Sequence, residues 1–396
     1  MSDSFVQFTE AVSASSSRTK GPLPAKALGR VAVLGGGADA RLLAALCLSE
    51  GADVTLFSAY GTELESLRAS SGITLRGEGP IGTFAVDRDS GPSVKTTAEL
   101  DSAVRGADVI FLTGPVHKQR AYAMVLADHL ADGQVLVIAP GRSLGAVEAA
   151  WMLRIGGCSA DITLIETQGL PFWISETGAV LNLTSAGPVA TATLPRGRTD
   201  ILEALSVYLP NLEPVSSVLE SGFADGSALV ELPALLLSGP ALSAGAAEVP
   251  MGGVPLAENQ TFGALIGDQH RAVISAMAAE RRAVAHAFGV RKLPGDDEWI
   301  TSHAGATRGA GSRNVPDRAS ANALLRDGVI GSLVPLISAA DLAGFDVPMT
   351  RSMVTLAGTV LGADVAAAGR RLETIGITAN DLDDARKALD ALAVGS

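Results

Sequence analysis

Residues 30–40 of the chain read RVAVLGGGADA. The first five residues form a β-branched apolar run, typical of a buried parallel strand, and the glycines that follow end it. From there to Gly51 the apolar residues recur at helical spacing, and residues 52–58, ADVTLFS, form a second apolar run. Strand, glycine turn, helix and strand follow in the order that a phosphate-binding βαβ unit requires.

The spacing of the turn points to a dinucleotide. The first glycine permits a tight turn, the second lets the backbone approach a pyrophosphate, and a small third residue lets the helix pack on the strand. The helix N-terminus then presents free N–H groups and a positive dipole. The predicted cofactor-binding residues of this turn are Gly35, Gly36, Gly37, Ala38, Asp39 and Ala40. The alternative is a glycine-rich turn of an ordinary α/β sheet that binds nothing.

The end of the second strand bears on which dinucleotide is bound. An NAD site usually has Asp or Glu there to accept hydrogen bonds from the ribose hydroxyls, whereas this chain has Ser58, Ala59 and Tyr60. No carboxylate is available there to repel a 2′-phosphate, and Ser58 and Thr62 could donate to one, so we expect NADP in preference to NAD. No arginine directly follows the strand, and Arg68 could reach a 2′-phosphate only if the loop folds back. If Ser58 is only a strand-end residue, either cofactor remains open.

Further candidates follow later strands, because ligands gather at the carboxyl ends of the strands in open α/β sheets. Thr113, Gly114 and Pro115 end one such strand and are predicted to face the nicotinamide ribose. His117 starts the next helix and is read more simply as a solvated first-turn residue. Glu166 ends another strand and is a site candidate, with a helix cap or a loop salt bridge as the alternative.

Composition excludes several classes of protein. The 396 residues are 47% hydrophobic and 18% charged, enough for a large core and two domains. The net charge of −12 argues against a nucleic-acid partner, and no apolar run is long enough to predict a membrane span. Cys47 and Cys158 lack metal-ligand spacing, so we expect no metal site and a cytoplasmic protein. Residues 1–28 read as a polar leader.

Segments along the chain together resemble the octopine/nopaline (opine) dehydrogenase family. They span roughly residues 30–375 and include VAVLGGGADA (31–40), ADVIFLTGPVHKQRAYA (107–123), IETQGLPFWIS (165–175) and LLRDGVIGSLVPLISAADLAGFDVP (324–348). The resemblance implies an α/β Rossmann domain, residues 29–212, and an all-α domain like that of 6-phosphogluconate dehydrogenase, residues 213–396. It also implies an active site in the cleft between them.

The second half of the sequence fits an all-helical domain. After about residue 215 no β-branched strand pattern recurs, and residues 261–289 have helical spacing up to Gly289. The glycine-rich stretch at residues 304–320 reads as a loop before further helices.

The family relays a proton through a histidine that an aspartate orients. Asp327 matches the aspartate, but the expected His-Pro pair aligns with Leu232-Pro233, and a leucine cannot transfer a proton. Residues 174–176 also lack the arginine that the family usually carries after the Leu-Pro-aromatic turn. The family mechanism therefore cannot be carried over unchanged.

Three groups could replace the histidine. Glu231 could act if burial held it protonated, although on a helix it points about 100° away from Leu232. His270 could enter the cleft, with Arg271 or Arg282 binding a substrate carboxylate, or Asp327 could work alone through a water. The simpler alternatives are a domain-interface ion pair for Glu231, a helix-face polar residue for His270, and a cap or salt bridge for Asp327.

The expected function is that of an NAD(P)-dependent dehydrogenase acting on CH–NH or CH–OH groups. The resemblance implies reduction of an imine formed from a 2-oxo acid and an amine, so the partner is a small molecule, and a homodimer is possible. Two alternatives stay open: a simple 2-hydroxy-acid or alcohol dehydrogenase on the same scaffold, and a non-catalytic NADPH-binding subunit.

Overall fold

The computed structural model describes residues 28–70, 72–238 and 261–394, so almost all of the predicted leader lies outside the described residues. The chain divides into two compact units. The first takes in the described residues up to Ser221 together with those from Lys387 onward, and the second comprises residues 222–386. The division falls later in the chain than the boundary expected at residue 212.

The first unit is built on two sheets. In chain order its strands are β1 (Arg30–Leu34), β2 (Asp53–Phe57), β3 (Gly72–Gly77), β4 (Gly82–Ala85), β5 (Lys95–Thr97), β6 (Val109–Leu112), β7 (Val135–Ile138), β8 (Thr163–Thr167), β9 (Phe172–Thr177), β10 (Val180–Ser185), β11 (Val189–Leu194) and β12 (Leu212–Pro214). Eight of them form the larger sheet in the order β12-β11-β8-β7-β6-β1-β2-β5. The strands from β8 to β5 run parallel, whereas β11 is antiparallel to β8. The strand order reverses between β1 and β6, which is where such sheets bind dinucleotides.

Helices cover the larger sheet because its central strands are buried on both faces. The helices of this unit are α1 (Ala38–Ser49), α2 (Gly61–Ala69), α3 (Leu100–Val104), α4 (Val116–Leu126), α5 (Gly145–Ile155) and α6 (Thr199–Leu205). Helix α1 buries Leu42, Leu43 and Leu46 in a core shared with Val33 of β1. Gly51 ends the helix as predicted, with a φ of 84° and an amide that donates to the Leu48 carbonyl.

The smaller sheet has four strands in the order β4-β3-β10-β9. Strands β3 and β4 form an antiparallel hairpin, and β10 joins β3 in parallel. Strand β9, which carries Phe172 and Trp173, pairs antiparallel with β10. The segment 165–175 therefore passes from the larger sheet to the smaller one.

The second unit is helical over its described residues, apart from isolated bridges, which confirms the expected fold class. Helix α7 (Val218–Ala224) crosses the division between the units. It is followed by α8 (Ser227–Leu237), α9 (Asp268–Ala287), α10 (Asp296–Ala304), α11 (Arg318–Gly328), α12 (Val334–Ala343), α13 (Pro348–Leu361) and α14 (Leu382–Val394). A π-helical turn, Val329–Leu333, joins α11 to α12. Gly289 follows α9 at a φ of 89°, as the sequence predicts.

The continuous helical stretch Arg318–Ala343 is long and apolar enough to cross a membrane by length and composition alone. Two-thirds of its apolar window, 67%, is buried inside the protein, and Leu325, Val329 and Leu333 belong to the core of the second unit. A core helix of a globular domain has the same properties, so the stretch is weak evidence for a membrane span.

Candidate functional site

The glycine turn, residues 35–37, joins β1 to α1 at the carboxyl edge of the larger sheet. Gly35 has a φ of 133°, and a β-carbon there would overlap with Thr113 Oγ1 at the end of β6. The Thr113 hydroxyl donates to the Leu34 carbonyl at 2.8 Å and is almost fully buried. Thr113 was expected to face the nicotinamide ribose. In the structure its side chain instead stabilises the glycine turn through the hydrogen bond to the end of β1.

Gly37 differs from Gly35, because the fold itself does not require a glycine there. Its φ of −74° suits any residue, and a β-carbon would meet no atom of the described part of the chain within 4 Å. It precedes α1, whose N-terminus has no side-chain cap, while Ala40 is fully buried beside Gly35. The turn thus combines open space with a helix N-terminus that no described side chain caps, the combination that suits a pyrophosphate.

A carboxylate that the sequence analysis missed lies beside this turn. Glu63, in the first turn of α2, accepts a hydrogen bond of 2.5 Å from Ser58 Oγ, and Ser58 Oγ accepts one from the Tyr60 amide at 3.1 Å. The expectation that no carboxylate reaches the end of β2 is therefore wrong. The carboxylate comes from the next helix and not from the strand, so inspection of the strand end alone could not find it.

The cations near the end of β2 are engaged by other groups. The Arg68 Nε donates to Asp87 Oδ2 and to Thr96 Oγ1, each at 2.9 Å. Lys118 Nζ lies 3.1 Å from the Tyr60 hydroxyl and 4.8 Å from the centre of its ring. Arg68, considered above as a ligand for a 2′-phosphate, is thus held by Asp87.

The loop after β6 completes the edge of the sheet. Gly114 has a φ of 86°, and Pro115 and His117 are exposed to solvent. The carboxyl ends of β1, β2 and β6 bring the glycine turn, Ser58 and this loop to one edge. A dinucleotide bound there would contact residues of all three.

Glu166 has the structural role that the sequence analysis gave as its alternative. Its carboxylate is fully buried and accepts hydrogen bonds from the Ala146 amide at 3.0 Å and from Ser221 Oγ at 2.6 Å. Ala146 lies in the first turn of α5, so the negative charge stabilises the N-terminus of that helix. We assign Glu166 to the support of α5.

In the second unit, Leu232 lies against Gly328, the residue that follows Asp327 in the chain. A β-carbon on Gly328, the residue after Asp327, would lie 2.7 Å from Leu232 Cδ1 and 3.3 Å from Ala228 Cβ. Helices α8 and α11 are therefore in close contact, and Leu232 is fully buried between them. An aliphatic side chain occupies the place where the family alignment puts an imidazole. Asp327 itself is half-buried, directly before the π-helical turn.

Glu231 forms an ion pair that lies within the second unit. Its Oε1 is 2.8 Å from Arg313 Nη1, and both side chains are buried. Arg313 also donates to the His303 carbonyl at 2.5 Å and lies 4.5 Å from the centre of the Phe262 ring. The pair therefore anchors the glycine-rich loop to helix α8. The sequence analysis gave an ion pair at the domain interface as the simpler alternative for Glu231. The structure shows an ion pair, but both partners belong to the second unit.

His270 caps the helix on which it lies. Its Nδ1 accepts from the Gly267 amide at 3.2 Å, so its Nε2 carries the proton and donates to Ser238 Oγ at 3.1 Å. Partial burial lowers the pKa of the imidazole, which favours the neutral form. The arginines suggested as its companions are paired with carboxylates on α10, Arg271 with Asp297 and Arg282 with Asp296.

Arg281 was missed by the sequence analysis. It is fully buried, donates to the Gly222 carbonyl at 3.1 Å and to Ser332 Oγ at 2.9 Å, and its burial lowers its pKa to about 10. It thereby ties the π-helical turn to the start of the unit. The sequence signal that could have found it is its helical spacing with the apolar residues Met277 and Val284, which places Arg281 on the buried face of α9.

Among the described residues, no group of three or more His, Cys, Asp and Glu side chains could hold a metal ion. The site candidates are therefore the dinucleotide edge of the first unit and the Asp327 region of the second.

Comparisons with known proteins agree with the resemblance, although no family model matches the chain. The chain is 25% identical over 366 residues to an opine dehydrogenase from Arthrobacter sp. (strain 1C), which covers 88% of this chain and 95% of that protein. Octopine dehydrogenase with NADH and pyruvate superimposes at a TM-score of 0.64 and 20% identity, covering 89% and 96% of the two chains. Yersinopine dehydrogenase with NADP+ gives 0.58 at 12% identity, covering 92% and 98%.

The curated relative confirms the resemblance to the opine dehydrogenases, and the relatives identify the chain as an NAD(P)-dependent dehydrogenase. The two solved structures confirm the fold, with a Rossmann unit followed by a helical one.

Proposed function

We propose that the chain, which resembles the opine dehydrogenases over most of its length, transfers a hydride between a nicotinamide dinucleotide and a small substrate with a C=N or C=O group. The observation that carries this proposal is the open space over Gly37 at the N-terminus of α1. Neither the backbone conformation nor the packing requires a glycine at position 37. A ligand that approaches the backbone there explains why the residue is glycine.

The substrate proposed is an imine formed from a 2-oxo acid and an amine. The opine dehydrogenase from Arthrobacter, which matches most of this chain, supports it by its name, and octopine dehydrogenase supports it by binding pyruvate together with NADH. Bound at the glycine turn, the cofactor supplies the hydride. The chain then has to provide a proton for the nitrogen or oxygen of the substrate.

Asp327 is the group that we propose for that proton step. Leu232 cannot transfer a proton, Glu231 is paired with Arg313, and the two nitrogens of His270 are hydrogen-bonded to the Gly267 amide and to Ser238 Oγ. Asp327 is the member of the predicted set that matches the family's aspartate, and the residue after it, Gly328, lies against Leu232. We propose that it acts through a water molecule, because Leu232 stands where the family alignment has the imidazole.

The choice between NAD and NADP is also part of the proposal. The expectation of NADP rested on the absence of a carboxylate at the end of β2, and Arg68 could reach a 2′-phosphate only if the loop folded back. Glu63 supplies a carboxylate, and Asp87 holds Arg68. We therefore propose NAD(H) as the cofactor.

The test is oxidation of NADH and of NADPH by the purified protein in the presence of 2-oxo acids, each with and without a panel of amines. We expect oxidation that requires both an oxo acid and an amine. Oxidation with a carbonyl compound alone would favour a simple 2-hydroxy-acid or alcohol dehydrogenase. Cofactor binding without oxidation across the whole panel would contradict the proposal and favour a non-catalytic cofactor-binding protein.

A further inference from the structure

Gly36, the middle glycine of the turn, has a role that the dinucleotide motif does not give it. The motif leaves this position free, and the φ of Gly36 lies outside the left-handed region. A β-carbon on Gly36 would overlap with Glu63 Oε2 and lie 2.7 Å from its Cδ and 2.9 Å from its Cβ. A change of rotamer could move the oxygen but not the β-carbon of Glu63. Gly36 is thus a glycine because Glu63 packs against it.

Ser58 holds the Glu63 carboxylate in this place. Ser58 is almost fully buried, and its hydroxyl both donates to Glu63 Oε2 and accepts from the Tyr60 amide. Among the described residues, Glu63 Oε1 accepts no hydrogen bond. An oriented carboxylate with one free oxygen therefore lies between the glycine turn and the end of β2, where the ribose of the adenosine half would bind.

The charge of this region fits a ribose hydroxyl better than a phosphate. A 2′-phosphate would bring a second and a third negative charge next to Glu63, and like charges in contact oppose binding. Arg68 is held by Asp87 and Thr96. The ammonium group of Lys118 donates to the Tyr60 hydroxyl at 3.1 Å. No described cation forms an ion pair with Glu63.

We propose that Glu63 determines the cofactor specificity of this chain. Its carboxylate accepts hydrogen bonds from the ribose hydroxyls of NAD(H) and repels the 2′-phosphate of NADP(H). The inference rests on the proposed function, because it places a dinucleotide at residues 35–37. It extends that function by naming Glu63 as the residue that sets the preference for NAD(H) over NADP(H). Glu63 belongs to a helix, whereas the motif usually has its acidic residue at the end of the second strand.

The test compares the binding of NADH and of NADPH to the purified protein by calorimetry, with no substrate present. The variant is Glu63→Gln, and the matched control is Glu65→Gln, the same change at an exposed position of the same helix. We expect the unmodified protein to bind NADH at least about tenfold more tightly than NADPH. Glu63→Gln should reduce that ratio by about tenfold or more, whereas Glu65→Gln should leave it unchanged.

A second variant separates charge from shape. Glu63→Asp keeps the charge but withdraws the carboxylate by one methylene, so NADH binding should weaken while NADPH binding does not improve. Thermal melting of each variant shows that it is folded, and Glu63→Asp serves as the test if Glu63→Gln does not fold.

Two results would overturn the inference while leaving the proposed function intact: tighter binding of NADPH than of NADH, or equal ratios in Glu63→Gln and Glu65→Gln. Binding of neither nucleotide would overturn the proposed function, and this inference with it.

Discussion

Leu232 and Gly328 are in direct van der Waals contact, so close that a β-carbon at residue 328 would lie 2.7 Å from Leu232 Cδ1. Gly328 follows Asp327 in the chain, so the contact packs Leu232 against the turn of α11 that carries the aspartate. The pair explains both residue types: the glycine lets the leucine approach, and the leucine fills the space that the family's histidine is expected to occupy.

This contact predicts a coupled effect on stability. Gly328→Ala should lower the free energy of unfolding by about 1–3 kcal/mol, because the added methyl group overpacks the contact. In a Leu232→Ala background the same change should cost markedly less, since the clashing atoms are gone. Denaturant unfolding of the two single variants and the double variant measures the coupling. Additive effects would contradict the contact.

Glu231 is predicted to matter for stability more than for catalysis. Glu231→Gln should lower the free energy of unfolding by about 3–5 kcal/mol, because it leaves the buried Arg313 guanidinium without its counter-charge. The double variant Glu231→Leu/Arg313→Met, which removes both charges, should be more stable than Glu231→Gln. Denaturant unfolding compares them. A stable Glu231→Gln with a large loss of turnover would instead favour Glu231 as the proton donor.

His270 predicts a pH dependence of stability. Burial lowers its pKa in the folded state below the ordinary value of 6.5, so the unfolded chain takes up the proton at a higher pH than the folded chain does. Its contribution is fully present above about pH 6.5 and is lost as the pH falls from there towards the lowered pKa. His270→Gln, which keeps an acceptor for the Gly267 amide, should flatten this loss. Melting temperatures at about pH 7.5 and about pH 5.5 test it, and identical pH slopes would speak against the assignment.

Asp327 is predicted to act on the chemical step. Asp327→Asn should lower kcat by about a hundredfold or more, the usual contribution of a positioned acid or base, while the Kd for NADH stays unchanged. Steady-state kinetics on the substrate pair identified by the oxidation panel, together with calorimetry for NADH, separate the two effects. An unchanged kcat would exclude Asp327 from the proton route.

The sequence was sufficient for much of the fold. The β1–turn–α1 unit follows from its apolar run and glycines, and Gly51 and Gly289 mark helix ends because a left-handed backbone favours glycine. The family alignment singled out Leu232 and Asp327, which lie on the contacting helices α8 and α11. These features depend on local backbone preferences or on the order of segments along the chain.

The remaining features depend on where side chains reach in space. Glu63 belongs to the next helix, yet its carboxylate lies at the end of β2 against Gly36. Thr113 turns towards the Leu34 carbonyl, and Glu166 turns towards the amide of Ala146. All three residues are polar and lie at the end of a strand or the start of a helix. Residues that contact a ligand and residues that only support the fold both occur at such positions, so the sequence pattern alone does not distinguish the two roles.

Nucleotide binding to the unmodified protein and to Gly37→Ala, each with a melting curve, tests the central claim most directly. The open space around Gly37 predicts that the variant keeps the melting temperature of the unmodified protein, since a methyl group there meets no atom of the described part of the chain. It also predicts that NADH binds the unmodified protein and binds Gly37→Ala at least about tenfold more weakly, because the methyl group occupies the space of the pyrophosphate. Equal affinity in the two proteins, or no NADH binding by the unmodified protein, would contradict a dinucleotide site at this turn.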